Sequence, residues 1–160
     1  MRSQEASGDE QVRMLLEAAR LRCNRARRQV AGRLRSEARP MSAEELRLAE
    51  PSLPYSSIYR TLSALIQAGV VRRLAGIDGN ARFELTEAVS GEHHHHLACA
   101  DCGAMETLVL PAGVENGLRR TAAAVRRSGR FAVDSHRVEL IGRCAACAAR
   151  ARPPLTPPAR

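Results

Sequence analysis

Apolar positions fall into two different rhythms along this chain. From Glu10, Val12, Leu15, Leu16 and Leu21 suggest a short helix, and a second helix follows from about Asn24. Ser42-Ala-Glu-Glu45 is a capping box, in which the Ser oxygen accepts from an orphan amide while the Glu reaches back to the cap; it opens a short helix ending near Ala49. Pro51 and Pro54 enforce a turn, because proline disfavours helical geometry in the residue before it. The next helix, about Tyr55 to Ala68, places Ile58, Leu62, Leu65 and Ile66 on one stripe and stops at Gly69. Two extended runs, residues 70–74 and 81–85, then flank Asp78-Gly79, a strong hairpin signal. Beyond a polar, glycine-containing segment at 87–92, read as a hinge, His96 to Ala100 and Met105 to Leu110 predict strands. Val114, Leu118, Ala122 and Val125 predict the buried stripe of a helix, and Arg130 to Ile141 predicts a returning strand carrying Phe131 and Val133 on one face.

The pattern predicts an α+β protein. Residues 10–86 form an N-terminal winged helix-turn-helix domain, and residues 93–149 form a small α/β metal-binding domain. Residues 1–9 and the proline-rich 150–160 are expected to be disordered. A strand-strand-helix-strand unit as small as the second domain buries little surface and calls for a metal staple, a partner subunit, or both. With two Phe, two Tyr and no Trp, the core must rest on Leu, Val, Ile and Ala.

Charge adds a partner. Net charge is +8 and every one of the 25 basic residues is Arg, a surplus suited to a polyanion. Eight of these arginines, Arg27 and Arg28 among them, lie between Arg20 and Arg39 with Glu37 as the single acid. On the helix after the proline turn, Ser56, Ser57, Tyr59 and Arg60 offer hydrogen-bonding groups to DNA bases and phosphates, and Arg72, Arg73 and Arg82 of the wing lie near the phosphates. The sequence has neither a run of about 20 apolar residues, as a membrane span requires, nor an apolar secretory signal, so the expected location is the cytoplasm.

Candidate metal chemistry is concentrated in His93-His-His-His-Leu-Ala-Cys-Ala-Asp-Cys102. Cys99, Cys102, Cys144 and Cys147 form two Cys-x-x-Cys pairs, which complete a closed tetrahedral site for structural Zn2+. Cys23 stands apart and reads as core filler. In an extended tract the four histidines alternate, so His94 and His96 face one way and His93 and His95 the other. Glu84 and Glu106 are candidates to join the first pair, and Glu115 and His136 the second. Imidazole admits zinc, iron, nickel or copper, and a carboxylate biases a site towards harder ions such as Fe2+ or Mn2+. No His-Glu-x-x-His motif accompanies the tract, which disfavours a metallohydrolase; a metal carrier would have no need of a winged helix.

The succession SAEEL, SSIYRTLSALIQAGVV, DGNARFEL, HHHHLACADCG and HRVELIGRCAAC resembles the ferric uptake regulator family of bacterial metal-dependent repressors. The resemblance spans roughly Arg22 to Cys147. It implies a winged helix that binds a palindromic DNA operator, a domain that forms a homodimer, a structural zinc held by four cysteines, and a regulatory metal acting as corepressor. It also implies that Tyr59 and Arg60 face DNA. Glu84, His94 and His96 are then the interdomain sensory site, and His93, His95 and His136 belong to a second site. Two departures bear on the effector. Pro40-Met41 stands where the family draws a further His, and Glu106 and Glu115 are each one residue out of place. Glu84, where zinc sensors tend to place Cys, leans the expected effector towards iron, with zinc, manganese or peroxide sensing as the alternatives.

Overall fold

A computed structural model describes residues 2–151 of the chain. Helix α1 spans Arg2–Ala18, α2 Arg25–Glu37, α3 Ala43–Ala49 and α4 Tyr55–Gln67; strands β1 (Val71–Ala75) and β2 (Ala81–Leu85) follow. Then come α5 (Glu87–Ser90), β3 (His95–Cys99), β4 (Met105–Leu108), α6 (Ala112–Arg127), β5 (Glu139–Gly142) and α7 (Ala145–Ala151).

Local chemistry accounts for the helix starts. Asn24 accepts from the Arg27 amide at 3.0 Å and opens α2. Ser42 and Glu45 complete the reciprocal box that opens α3, with bonds of 3.1 and 2.7 Å. The first core is built from Val12 and Leu16 of α1, Val30 and Leu34 of α2, Leu46 of α3, Ile58, Leu62 and Leu65 of α4, and Phe83 and Leu85 of the wing, all buried. Met41 extends the wing by a single bridge to Phe83. Cys23 packs against this core.

Four sequence expectations are corrected here. Regular helix begins at Arg2 rather than after residue 9, because Val12 and Leu16 anchor α1 and Asp9 pairs with Arg35 of α2 at 2.5 Å. At the other end, α7 carries helix through Ala151, and residues 152–160 lie outside the described residues. Ile66 is exposed, since the buried face of α4 is completed by Thr61 instead. Within the expected hinge, residues 87–90 form a helical turn that ends on Gly91 at φ 74°, and its Val89 enters the first core. Left-handed backbone of this kind suits glycine.

The second sheet has the order β4-β3-β5, with β3 antiparallel to β4 and parallel to β5 through the α6 crossover. Only Glu139–Gly142 of the expected long returning strand pairs with β3, and residues 131–138 are irregular. None of the α6 residues is buried. Of its expected apolar stripe, Val114 and Val125 are exposed and Leu118 and Ala122 half-buried, while Phe131 (69% exposed) and Ile141 (60%) face outward within this single chain.

The halves meet at several places. Leu74 of the wing packs with Ala98 and Met105 of the second sheet. Arg82, only 5% exposed, donates 2.8 Å bonds to Asp78 and to the Gly103 carbonyl. Asp78 is held at about 2 by donors from Asn80 and Arg82. Gly103 has φ 70°, which suits glycine, and a Cβ there would displace the Asp78 carboxylate and the Arg82 guanidinium from the strut. Thr107 adds a 2.8 Å bond to the Ala38 carbonyl, just after α2.

Candidate metal centres and nucleic-acid face

The β3–β4 turn and the segment leading into α7 bring Cys99, Cys102, Cys144 and Cys147 within 4.8 Å of one another. The sulfurs of Cys102 and Cys144 are 3.8 Å apart, close to the ~3.8 Å edge of a tetrahedron with Zn–S bonds of ~2.3 Å. The Cys144 amide points at Cys99 Sγ from 3.3 Å and, with the amides of Cys102 and Asp101, lowers the Cys99 thiol to about 6. That poises one sulfur as thiolate, the ligating form. All four donors are protein sulfurs, so the set fits a closed structural zinc.

Extended backbone through the histidine tract sorts its side chains into two sets. Glu84 Oε2 lies 3.1 Å from His94 Nε2 and 2.9 Å from His96 Nε2. Here β2 of the first half supplies the carboxylate and the second half supplies both imidazoles. Burial alone would raise the Glu84 carboxyl, but the bonds to His94 and His96, with the Arg72 charge, hold it well below the ordinary range; His94 is raised in return, chiefly by Glu84. The site borders a cavity of about 720 Å³ lined also by Ala38, Arg39 and Thr107.

On the opposite face, His93, His95, Glu115 and His136 converge. Glu115 accepts from His95 at 3.0 Å and is held at about 2 by that bond, with Arg119 and His136 adding to it. His136 Nε2 lies 3.1 Å from Glu115 without hydrogen-bond geometry, and His93 Nε2 is buried without a partner. Nitrogens aimed at one carboxylate with unspent capacity are donors suited to a cation.

Glu106 joins neither group. It pairs opposite Leu97, whereas Thr107 pairs opposite His96, so the period of two points Glu106 away from His96. Pro40 and Met41 sit at the end of the α2–α3 connection and supply no side-chain donor.

On α4, Ser56, Tyr59 and Arg60 are exposed and Ser57 is half-buried. Tyr59 packs edge-on against Tyr55, with hydroxyls 3.0 Å apart. Tyr55 has the same exposure on the first turn and was missed from sequence; its place four residues before Tyr59 was the available signal. Arg73 and Arg28 are exposed, and Arg27 is half-buried over the Arg22 carbonyl. Arg72 and Arg82 do not face outward as expected. Arg72 is paired with Glu84 at 2.5 Å because the hairpin register sets those residues opposite each other, and Arg82 is the buried strut to Gly103. Nor is the Arg20–Arg39 run one open surface: Arg33, Arg35 and Arg39 pair with Glu50, Asp9 and Glu45.

Comparison with known proteins gives this arrangement a family. The profile of the Ferric uptake regulator family matches residues 18–141. The chain belongs to the ferric uptake regulator family. It is 36% identical over 113 residues to the ferric uptake regulation protein of Cupriavidus metallidurans, covering 68% of this chain and 73% of that one. The Bacillus subtilis ferric uptake regulation protein is 30% identical over 118 residues, 71% of this chain and 76% of its relative. The solved Vibrio cholerae ferric uptake regulator superposes with a TM-score of 0.65 at 27% identity, covering 82% of this chain and 98% of that chain. Ferric uptake regulators are metal-responsive transcriptional repressors that bind DNA and are dimeric. This regulator is therefore not an enzyme, and it combines an N-terminal DNA-binding domain with a C-terminal dimerisation domain. Among the described residues, no helix is long and apolar enough to cross a membrane.

Proposed function

We propose that this regulator represses metal-homeostasis genes in the cytoplasm with Fe2+ as corepressor at Glu84, His94 and His96, and that Zn2+ at the four cysteines is structural. The observation that carries the reading is the position of Glu84 Oε2, within 3.1 Å of both imidazole nitrogens across the junction of the two halves. Two imidazoles and one carboxylate bordering an open cavity suit Fe2+ among the first-row ions, and four thiolates suit zinc. His93, His95, Glu115 and His136 would hold a second ion within the dimerisation domain.

A bound divalent cation supplies positive charge shared by β2 and the histidine tract. Glu84 then ties the wing to the tract, and this link selects one placement of the winged helices in a homodimer. A dimer reads a palindromic operator when its recognition helices are one DNA turn, ~34 Å, or a multiple of it apart. An effector that favours that placement ~100-fold shifts the equilibrium by about 2.7 kcal/mol. Ser56, Ser57, Tyr59 and Arg60 present the polar face of α4 to the bases, while Arg73, Arg27 and Arg28 are the flanking cations for phosphates.

Operator binding by zinc-loaded protein, chelated at the histidine sites and then given graded Fe2+, Mn2+ or Zn2+ without oxygen, tests this. Fe2+ is expected to raise affinity most. Equal binding with and without every metal overturns the switch, and stronger activation by Zn2+ or Mn2+ overturns the assignment of iron. Arg60→Ala is expected to cost about 1–3 kcal/mol of operator binding while leaving metal content unchanged.

A further inference from the structure

Two charged side chains outside both histidine sites hold one ligand of each and touch one another. Arg72 Nε pairs with Glu84 Oε1 at 2.5 Å, leaving Oε2 to face His94 and His96. Glu87 Oε1 pairs with His93 Nδ1 at 2.6 Å, leaving the buried His93 Nε2 aimed at the second cluster. Arg72 Nη1 lies 3.9 Å from that same Glu87 oxygen. A ligating imidazole is oriented and made more basic by a carboxylate on its other nitrogen, which is the position Glu87 occupies.

We propose that Arg72 and Glu87 are positioning residues whose ion pair couples the two histidine sites, so that filling either one weakens the other. This rests on the reading that both sites take metal. When Glu84 gives charge to a cation through Oε2, its hold on Arg72 through Oε1 weakens and Arg72 leans on Glu87. Glu87 Oε1 then accepts less well from His93, and Nε2 becomes a poorer donor. In the reverse direction, a polarised His93 N–H draws Glu87 from Arg72, which returns to Glu84 and competes for its charge. Equilibrium coupling is reciprocal, so both directions carry the same factor. Arg72 and Glu87 are part-exposed, and solvent screening keeps that factor at the low end of the usual range, about fivefold.

Co2+ titrations of the full-length, zinc-loaded protein, followed by the d–d absorption bands, measure the coupling. His136→Ala isolates the regulatory site and His96→Ala the second site, with His94→Ala in its place should circular dichroism show His96→Ala unfolded. The product of the two stepwise constants of the unsubstituted protein, divided by the product of the isolated constants, is the coupling factor. It is expected to be about fivefold below unity. In a Glu87→Gln background it should return to within about twofold of unity, whereas Arg72→Lys, which keeps a cation between the carboxylates, should retain most of the coupling. A factor near unity in the native background, a factor unchanged by Glu87→Gln, or a factor abolished by Arg72→Lys would each overturn the proposal. Because Co2+ occupancy is read without DNA, the result is independent of whether metal acts as corepressor.

Discussion

The two halves of this regulator solve the problem of stability differently. The DNA-binding half buries Leu16, Leu46, Ile58, Leu62 and Leu65 almost completely inside one chain. The dimerisation half buries none of α6 and leaves Phe131, Leu140 and Ile141 exposed. What it has instead, within residues 93–149, is two whole clusters of ligating side chains and the two imidazoles of a third, whose carboxylate, Glu84, comes from the wing. A self-sufficient core can report on nothing but temperature and denaturant. A half completed by ions and a second subunit makes its order conditional on them, as a sensor requires.

The largest test of this contrast is removal of the zinc proposed at the four cysteines. Structural zinc sites carry about 10 kcal/mol or more of folding free energy, so Cys144→Ser or strong chelation should abolish the dimer and the β3–β5 sheet while the helices of the first half persist. Size-exclusion chromatography with light scattering, and circular dichroism, read these outcomes; loss of the first half as well would erase the contrast. Next comes Leu62→Ala, at a side chain 1% exposed, expected to destabilise the DNA-binding half by about 2–5 kcal/mol in denaturant titrations. Ile141→Asp should instead leave the melting of the monomer nearly unchanged and weaken dimerisation by about 2 kcal/mol or more; a large loss of monomer stability would show that β5 belongs to an internal core.

The smallest effect concerns the strut between the halves. The folded carboxyl of Asp78 titrates at about 2, below its ordinary 3.8. Its contribution is therefore present above the ordinary value and lost as pH falls through about 2. Asp78→Asn should melt slightly below the wild type at pH 7, by about 1 kcal/mol or less, and the gap should close on acidification towards pH 2. A gap that widens instead would show that the Arg82 bond to Asp78 does not stabilise the junction.

Much of the α-helical half was legible because its signals are local: the Ser42–Glu45 box, Pro54, Gly69 and Asp78-Gly79 each act within a few residues. The cysteine pairs were legible for the same reason. Alternation in the histidine tract also sorted His93 and His95 from His94 and His96 as the geometry does. Failures came where a residue's role depends on its partner. Arg72 reads as a phosphate contact until the hairpin register sets it against Glu84. Glu106 is chemically apt but on the wrong parity of β4. Val114 and Val125 have a helical stripe whose burial the single chain does not provide. Glu87 lay in a segment whose polarity suggested a hinge, and its reach to His93 depends on α5 being helical.

The histidine tract imposes a constraint on descent as well as on chemistry. Because odd-numbered and even-numbered residues of one extended segment serve different clusters, both clusters share one reading frame. A single inserted or deleted residue between His94 and His96 would not merely damage a site; it would carry ligands to the wrong side of the sheet at both sites together. Length changes here are tolerable only in pairs, whereas the α5 turn before the tract and the β3–β4 connection after it can vary without that penalty. The spacing of this segment should thus be more rigidly preserved than the identity of any one of its histidines.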